Sequence, residues 1–223
     1  MDNPGLYASL IQSRFYLICE LLSIFVIMPA VIYALLPLPI LLILWMVTFI
    51  SILALFKDKT FDRDSLWRSF ELKENYKGMV KQFLIIATVM IVLIYLFIPD
   101  HLFALITDNP LLWTLIMICY PLLSVYPQEL LYRTFFFHRY RILFQKRWQL
   151  LTANALLFGY MHIIFQNLIA VGLTALGGLL FASMYERTRS TLFVSVAHAL
   201  YGDLIFTIGL GTYFYAGTMF TLS

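Results

Sequence analysis

The sequence has few charged residues and only two cysteines. Of its 223 residues, 12% are charged and 62% are hydrophobic. Ordinary globular domains have about 25% charged and about 45–50% apolar residues. A soluble protein of this size could not cover its surface with so few charges, so an ordinary soluble enzyme, a disordered chain and a fibrous repeat are excluded. The composition predicts an integral membrane protein.

Other absences narrow the class of protein further. The net charge is only +3 and no basic run alternates with aromatic residues, so we expect no nucleic-acid partner. Cys19 and Cys119 both lie inside apolar runs, which favours packed thiols over a disulfide framework. The first apolar stretch lacks a small-residue cleavage site, so we expect it to remain as a membrane span.

Seven apolar segments approach the length of a transmembrane helix. A hydrocarbon core about 30 Å thick needs roughly 20 helical residues. The predicted spans are 13–36, 38–56, 80–98, 111–139, 147–165, 167–186 and 190–209. The fourth is long and contains Pro127, which predicts a kink or a strong tilt. The predicted fold class is an all-α polytopic bundle that forms a single membrane domain, residues 1–223.

The positive charges predict the orientation of the bundle. Lys and Arg lie at the beginning of the first span and in or beside the connections that follow spans two, four and six. The alternate connections, 36–39, 99–110, 165–167 and the tail, contain none. The positive-inside rule then places the N-terminus in the cytoplasm and the C-terminus outside. We expect a multi-pass protein of a bacterial plasma membrane.

Three connecting segments carry further expectations. Residues 36–39 predict a tight turn between the first two spans, and the short apolar tail 210–223 predicts a segment along the membrane interface. The polar stretch 57–79 mixes charges with Trp67 and Phe70. It fits a short amphipathic surface helix and a solvated connector equally well.

Ionisable residues inside the spans are candidates for function, because a bilayer makes them costly. They are Glu20, Glu129, Arg133, His162, His198 and Asp203, with Gln128 and Asn154 as neutral companions. Glu20 lies near the end of the first span, where reaching water or pairing with a loop cation is the favoured interpretation. The others come from spans four, five and seven, as expected for a polar site built across a bundle.

Helix geometry allows three of these residues to meet. Counted from the basic end of each span, Glu129 lies roughly 15 Å deep, His162 roughly 22 Å and His198 roughly 13 Å. Ordinary helix tilts and a proline kink can absorb this spread. Arg133 follows Glu129 by four residues and shares its face. Asp203 lies about 140° around the helix from His198, so it joins the site only through a distortion.

A carboxylate and two imidazoles in a dry site suggest hydrolysis. A desolvated Glu with a neighbouring His can deprotonate water, and a second His can stabilise the oxyanion of a tetrahedral intermediate. Zinc is the alternative, because Glu and two His form a known ligand set. The His-Glu-x-x-His spacing is absent, so a metal-free site is favoured and no cofactor is expected. A purely structural role, in which polar groups join helices, is also open.

Three motifs in order resemble a known family. The motifs are Gln128-Glu129-Leu-Leu-Tyr-Arg133, Phe158-Gly-Tyr-Met-His162 and Ser195-Val-Ala-His198. They are similar to the motifs of the CPBP family, which contains CAAX endopeptidases, bacteriocin-processing proteins, Abi proteins and relatives of lysostaphin resistance protein A. The resemblance covers roughly residues 110–207 and implies a glutamic-type intramembrane endopeptidase.

The resemblance also implies roles for individual residues. Glu129 and His162 would activate water, His198 would polarise the carbonyl, and Arg133 would hold Glu129. Gln128, Phe158 and Asp203 would support them.

Two positions depart from the family pattern. The family has Glu at the position of Gln128, where the general base usually stands, and glutamine accepts no proton at neutral pH. Either Glu129 takes over this role or the protein is hydrolytically weak. The family also prefers Asn or Asp at the position of Gly202, with Asp203 one residue later here; a helix bulge would be needed to bring Asp203 into place.

The function implied is cleavage of a membrane-associated protein, with a CAAX-type tail, a leader or a C-terminal sorting tail as substrate. The expected partners are a membrane-anchored or lipidated peptide and the lipid bilayer. The alternative is a catalytically weak or inactive relative that acts in bacteriocin self-immunity or binds a peptide. A transporter is disfavoured because no inverted repeat is visible.

Overall fold

The described residues, 13–35 and 38–214 of a computed structural model, form helices and connections without any strand. Their seven long apolar helices are α1 (Arg14–Ala34), α2 (Ile40–Lys57), α3 (Ser69–Phe97), α4 (Pro110–Leu143), α5 (Arg147–Phe165), α6 (Leu168–Thr188) and α7 (Thr191–Thr207). By length and composition, α1 to α6 can each cross a membrane, whereas α7 is shorter. The predicted all-α polytopic membrane bundle is confirmed.

Parts of the predicted connections lie outside the described residues. These parts are residues 36 and 37 of the predicted turn and residues 215–223 of the tail. The described beginning of the tail, Leu210–Phe214, is a short 3-10 helix.

The polar stretch 57–79 is divided between a loop and a long helix. Its first part contains a 3-10 turn, Arg63–Leu66, and its second part is the beginning of α3. With 29 residues, α3 is about 43 Å long at about 1.5 Å per residue, which exceeds the hydrocarbon core of about 30 Å. The polar first turns of α3 therefore extend a spanning helix. A separate short surface helix is wrong for this segment, because the helix that begins at Ser69 continues into the span without a break, whereas residues 58–68 form a connector.

Helix α4 is irregular at two places. It contains π-helical turns at Pro121–Val125 and Leu130–Phe135, with α-helical residues between and around them. A proline cannot donate the backbone hydrogen bond of an α-helix, and Pro121 and Pro127 both lie in this region. The structure has π turns beside the two prolines, and the predicted kink or strong tilt of the fourth span stays a prediction. Because π turns change which residues share a face, α4 can direct residues distant in sequence toward one neighbouring helix.

Small residues bring α5 and α6 close together. A Cβ atom on Gly159 would lie 2.7 Å from the Cβ of Ala175, and one on Gly178 would lie 3.1 Å from Ala155. Close approach through small residues is common between membrane helices. Phe158 of α5 and Phe181 of α6 both pack against Arg133 and His198.

The two ends of the bundle differ in chemistry. At one end, which we call the basic end, ion pairs join Glu20 to Arg139, Asp58 to His138, and Glu186 to both Arg141 and Arg189. The opposite end is held by neutral contacts, such as the Asn167 side chain on the carbonyl of Tyr213 at 2.6 Å. The alternation of connections inferred from the charges is therefore reproduced, and Glu20 has the predicted pairing role.

Candidate active site

A fully buried ion pair lies in the middle of α4. The Nε atom of Arg133 is 3.3 Å from Oε2 of Glu129, and both side chains have no exposed surface. Arg133 also donates from Nη1 to Oδ1 of Asn154 at 2.6 Å, and Asn154 donates to the carbonyl of Tyr132 at 2.6 Å. Asn154 thus connects α5 to the arginine of α4 and to the backbone of the same helix. The charge of Arg133 offsets that of Glu129 in a dry environment.

His198 connects this ion pair to a cavity. Its Nδ1 lies 2.8 Å from Oε1 of Glu129, so this nitrogen donates to the carboxylate. Its Nε2 lies 3.1 Å from the hydroxyl of Tyr120. The ring stacks on Phe181 with centroids 4.6 Å apart, and the edge of Phe158 approaches it at 5.6 Å. Both nitrogens therefore have partners, and two aromatic rings pack against the imidazole.

His162 lies at the point where α5 changes its geometry. The α-helical part ends at Met161, and a 3-10 turn runs from His162 to Phe165. The ring donates from Nδ1 to the carbonyl of Phe158 at 2.7 Å. Within the described residues, no hydrogen bond to Nε2 is formed, which leaves that nitrogen as an acceptor.

Phe158 stands at the centre of the cluster. Its ring centroid is 4.9 Å from that of His162, and its face lies 4.8 Å from the guanidinium carbon of Arg133. This distance is within the range of cation–π contacts. Phe158 therefore separates the ion pair from His162 while it contacts both. Phe158, predicted as a supporting residue, thus lies next to His162, His198 and Arg133.

Two apolar cavities adjoin at this cluster. The larger cavity, about 660 Å³, is bordered by α2 to α7 and reaches His162, His198 and Tyr120. The smaller cavity, about 650 Å³, lies between α1, α2, α4 and α5. Residues that line both are Leu41, Ser124, Gln128, His162 and Phe165. Glu129 lines neither cavity, so among the predicted catalytic residues the two histidines are the ones that a ligand in the larger cavity would meet.

Gln128 and Asp203 occupy different surroundings. Gln128 faces the junction of both cavities and donates to the hydroxyl of Ser124 at 2.7 Å. Asp203 lies on a stretch of α7 that is regular through Gly202, without the bulge that would turn it toward His198. Its Oδ1 is buried and makes no hydrogen bond with any described residue. The structure therefore brings Gln128 to the cavity and leaves Asp203 outside it.

Metal binding has no obvious site among the described residues. They contain no group of three or more His, Cys, Asp or Glu side chains close enough together to hold a metal ion. Glu129 and His198 are in contact, whereas His162 bonds to a backbone carbonyl. Of the three residues considered as zinc ligands, Glu129 and His198 therefore contact each other, while His162 has a separate hydrogen-bond partner.

Tyr120 is a site residue that the sequence did not indicate. Its hydroxyl contacts His198, and its ring packs against Phe206 with centroids 5.4 Å apart. The residue precedes Pro121 in an apolar run and belongs to none of the three motifs. Its only signal was a hydroxyl within a membrane span, which many tyrosines of this chain share.

The fold and the site define a multi-pass membrane protein with a buried Glu–His pair beside an apolar cavity. Residues 109–202 match the model of a protein family described as type II CAAX prenyl endopeptidase Rce1-like. This range contains all three sequence motifs, so the predicted resemblance to the CPBP family is confirmed for this part of the chain. No curated protein and no solved structure matches the chain. The family match supports a CAAX-type intramembrane protease.

Proposed function

We propose that this protein is an intramembrane endopeptidase that hydrolyses a peptide bond of a lipidated or otherwise membrane-anchored protein. The observation that carries the proposal is the pair of histidines on the larger cavity. His162 and His198 come from different helices, and each has its Nδ1 fixed by a hydrogen bond to the protein. Because both Nδ1 atoms are bonded to the protein, the Nε2 side of each ring is the side left to act on a ligand in this mainly apolar cavity.

Water activation is assigned to His162. Its Nε2 accepts a proton from a water molecule, whose oxygen attacks the carbonyl carbon of the substrate. The electron pair of the C=O double bond moves to the carbonyl oxygen. When this intermediate collapses, the C–N bond breaks and the proton returns from His162 to the leaving amine. No metal ion is needed for this sequence of steps.

His198 and Glu129 act together on the other side of the carbonyl. The carboxylate of Glu129 fixes the proton on Nδ1 of His198, and Arg133 balances the carboxylate charge. Glu129 is fully buried, so it supports catalysis through His198 while His162 meets the water. The carbonyl oxygen lies on the Nε2 side of His198, where developing negative charge is stabilised.

The cavities fit an apolar substrate. Apart from a few polar side chains, the larger cavity is lined by Leu, Ile, Phe and other apolar residues. A lipid chain attached to a peptide would lose its contact with water there, at a gain of about 25 cal/mol per Å² of buried apolar surface. The junction of the two cavities at Gln128 and His162 provides a place for the peptide bond.

The first test uses the purified chain in proteoliposomes with a farnesylated peptide that ends in a CAAX sequence. We expect release of the C-terminal tripeptide, detected by mass spectrometry, and its loss in His162→Ala and His198→Ala. Glu129→Gln keeps the size of the side chain and removes the charge that orients His198, so it should also lower the rate strongly. A zinc chelator should leave the wild-type rate unchanged.

The matched control is Glu186→Gln, which makes the same substitution in an ion pair at the basic end. This variant should cleave at the wild-type rate. Full cleavage by both histidine variants would contradict the proposal, and inhibition that is reversed by added zinc would replace the metal-free mechanism with a metal-dependent one.

A second function, peptide binding without hydrolysis in a bacteriocin self-immunity role, is favoured by one observation. Gln128 lies at the junction of the cavities, and its amide donates to Ser124. An amide at this position can hold a peptide by hydrogen bonds, although it cannot take a proton from water. Gln128→Glu distinguishes the two functions. A binding protein would gain cleavage only in this variant, whereas an endopeptidase cleaves before the change.

A further inference from the structure

Tyr120 places a hydroxyl beside the nitrogen of His198 that faces the larger cavity. The oxygen lies 3.1 Å from Nε2, while Nδ1 on the other side of the ring is bonded to Glu129. Tyr120 itself lines the larger cavity. The three groups therefore form a chain that runs from the buried carboxylate through the imidazole to a hydroxyl at the cavity.

The same hydroxyl occupies space that Gly202 leaves open. A Cβ atom on Gly202 would lie 2.5 Å from the hydroxyl oxygen of Tyr120 and 2.6 Å from Cζ of its ring. Any side chain at this position would collide with Tyr120. In the family that the chain resembles, this is the position of the Asn or Asp that follows the last His by four residues. In this chain the polar atom beside residue 202 is the hydroxyl oxygen of Tyr120. It comes from α4, whereas residue 202 lies on α7.

We propose that the Tyr120 hydroxyl is a catalytic hydrogen-bond donor to the carbonyl oxygen of the substrate, in the place of a polar side chain at residue 202. The inference rests on the proposed endopeptidase function and adds a residue to its oxyanion site. When Nε2 of His198 donates to the Tyr120 oxygen, the Tyr120 hydrogen is free to point into the cavity, so His198 acts on the carbonyl oxygen through Tyr120.

The donor acts without changing the balance of the reaction. The water oxygen forms its bond to the carbonyl carbon, His162 holds the water proton, and the negative charge appears on the carbonyl oxygen. The O–H group of Tyr120 donates a hydrogen bond to this oxygen and keeps its proton throughout. Removing one donor from an oxyanion site lowers kcat by about 100-fold to 1000-fold in proteases where it has been measured.

The test compares Tyr120→Phe with Tyr140→Phe in the proteoliposome assay with the farnesylated CAAX peptide. Tyr120→Phe keeps the ring that fills the space beside Gly202 and removes the hydroxyl alone. We expect kcat to fall by about 100-fold with little change in KM. Tyr140 is fully buried away from both cavities, and its hydroxyl makes no hydrogen bond with any described residue, so Tyr140→Phe should retain the wild-type kcat.

The second measurement moves the polar group from residue 120 to residue 202. Tyr120→Ala opens the space, and Gly202→Asn in the same chain then supplies a polar side chain from α7. The double variant should be at least tenfold more active than Tyr120→Ala alone. Equal activity of the two would overturn the assignment of the hydroxyl to the place of residue 202.

The outcomes separate this inference from the proposed function. If the wild type cleaves, His198→Ala does not, and Tyr120→Phe cleaves within about twofold of the wild type, the role of Tyr120 is overturned and the endopeptidase function stands. If the wild type fails to release the tripeptide, the proposed function fails and the role of Tyr120 fails with it.

Discussion

The same kind of ion pair occurs in two regions of this molecule with opposite surroundings. In the middle of α4, Glu129 and Arg133 have no exposed surface. At the basic end, the side chains of Glu20 and Arg139 are 19% and 21% exposed. A charge at the end of the bundle that loses its partner can turn toward water, whereas a charge at the centre cannot. A single substitution should therefore lower the free energy of unfolding more in the central region than at the basic end.

The hydrogen-bond partners differ in the same way. Around the central pair, Arg133 donates to Asn154 and Glu129 accepts from His198, and Asn154 is itself held by the carbonyl of Tyr132. At the basic end, Glu186 is shared by two arginines from different segments. The central arrangement has few alternatives and orients an imidazole at the cavity. The basic end holds helices together through contacts that can replace one another.

The largest loss of stability is expected from replacing Arg133. Arg133→Met leaves the Glu129 carboxylate buried without its counter-charge and should lower the free energy of unfolding by about 3–5 kcal/mol. The double variant Glu129→Leu, Arg133→Met removes both charges and should recover most of this loss, because an apolar pair of similar volume needs no desolvation of charge. A denaturing-detergent titration followed by tryptophan fluorescence measures both.

Activity separates the stabilised double variant from the wild type. Although its fold is expected to be recovered, it lacks the carboxylate that holds His198, so it should not cleave the farnesylated peptide. A single Arg133→Met variant as stable as the double variant would show that the central pair behaves like a surface pair, and the comparison of the two regions would fail.

The sequence was sufficient to predict the parts of the site that depend on regular helix spacing. The four-residue interval between Glu129 and Arg133 predicted their contact, and the depth of His198 predicted that it could reach them. The structure has Arg133 at 3.3 Å and His198 at 2.8 Å from Glu129. The all-α fold also followed from the long apolar runs, because a bilayer accepts few other structures.

The remaining features depend on departures from regular spacing. Tyr120 and Glu129 are nine residues apart, which places them on opposite faces, about 180° apart, on an ideal α-helix. The π turn at Pro121–Val125 lies between them and alters this relation, and both side chains contact His198. Pro127 predicted a kink or a strong tilt, and no rule of sequence gives the position or kind of the π turns that the structure has.

A smaller loss of stability is expected from breaking the half-buried ion pair of Glu20 and Arg139. The guanidinium donates from Nε and Nη2 to the same carboxylate oxygen at 3.0 and 2.9 Å. A double-mutant cycle with Glu20→Ala and Arg139→Ala should give a coupling free energy of about 1 kcal/mol or less. The same detergent titration measures it. A coupling as large as that of the central pair would mean that depth in the bundle does not determine the strength of these contacts.

The smallest effect is expected at Asp58, in the loop that follows α2. A hydrogen bond with His138, helped by bonds from the backbone and hydroxyl of Thr60, lowers the pKa of the Asp58 carboxyl from 3.8 to about 2. Because the pKa is lower in the folded state, the ionised carboxylate stabilises the fold above pH 3.8, and this contribution is lost as the pH falls through about 2. Asp58→Asn should therefore reduce the dependence of the unfolding midpoint on pH between about 4 and 2, measured by thermal unfolding in detergent. The matched variant Asp100→Asn, at the opposite end of the bundle, should leave this dependence unchanged, and an identical pH profile for Asp58→Asn and the wild type would contradict the prediction.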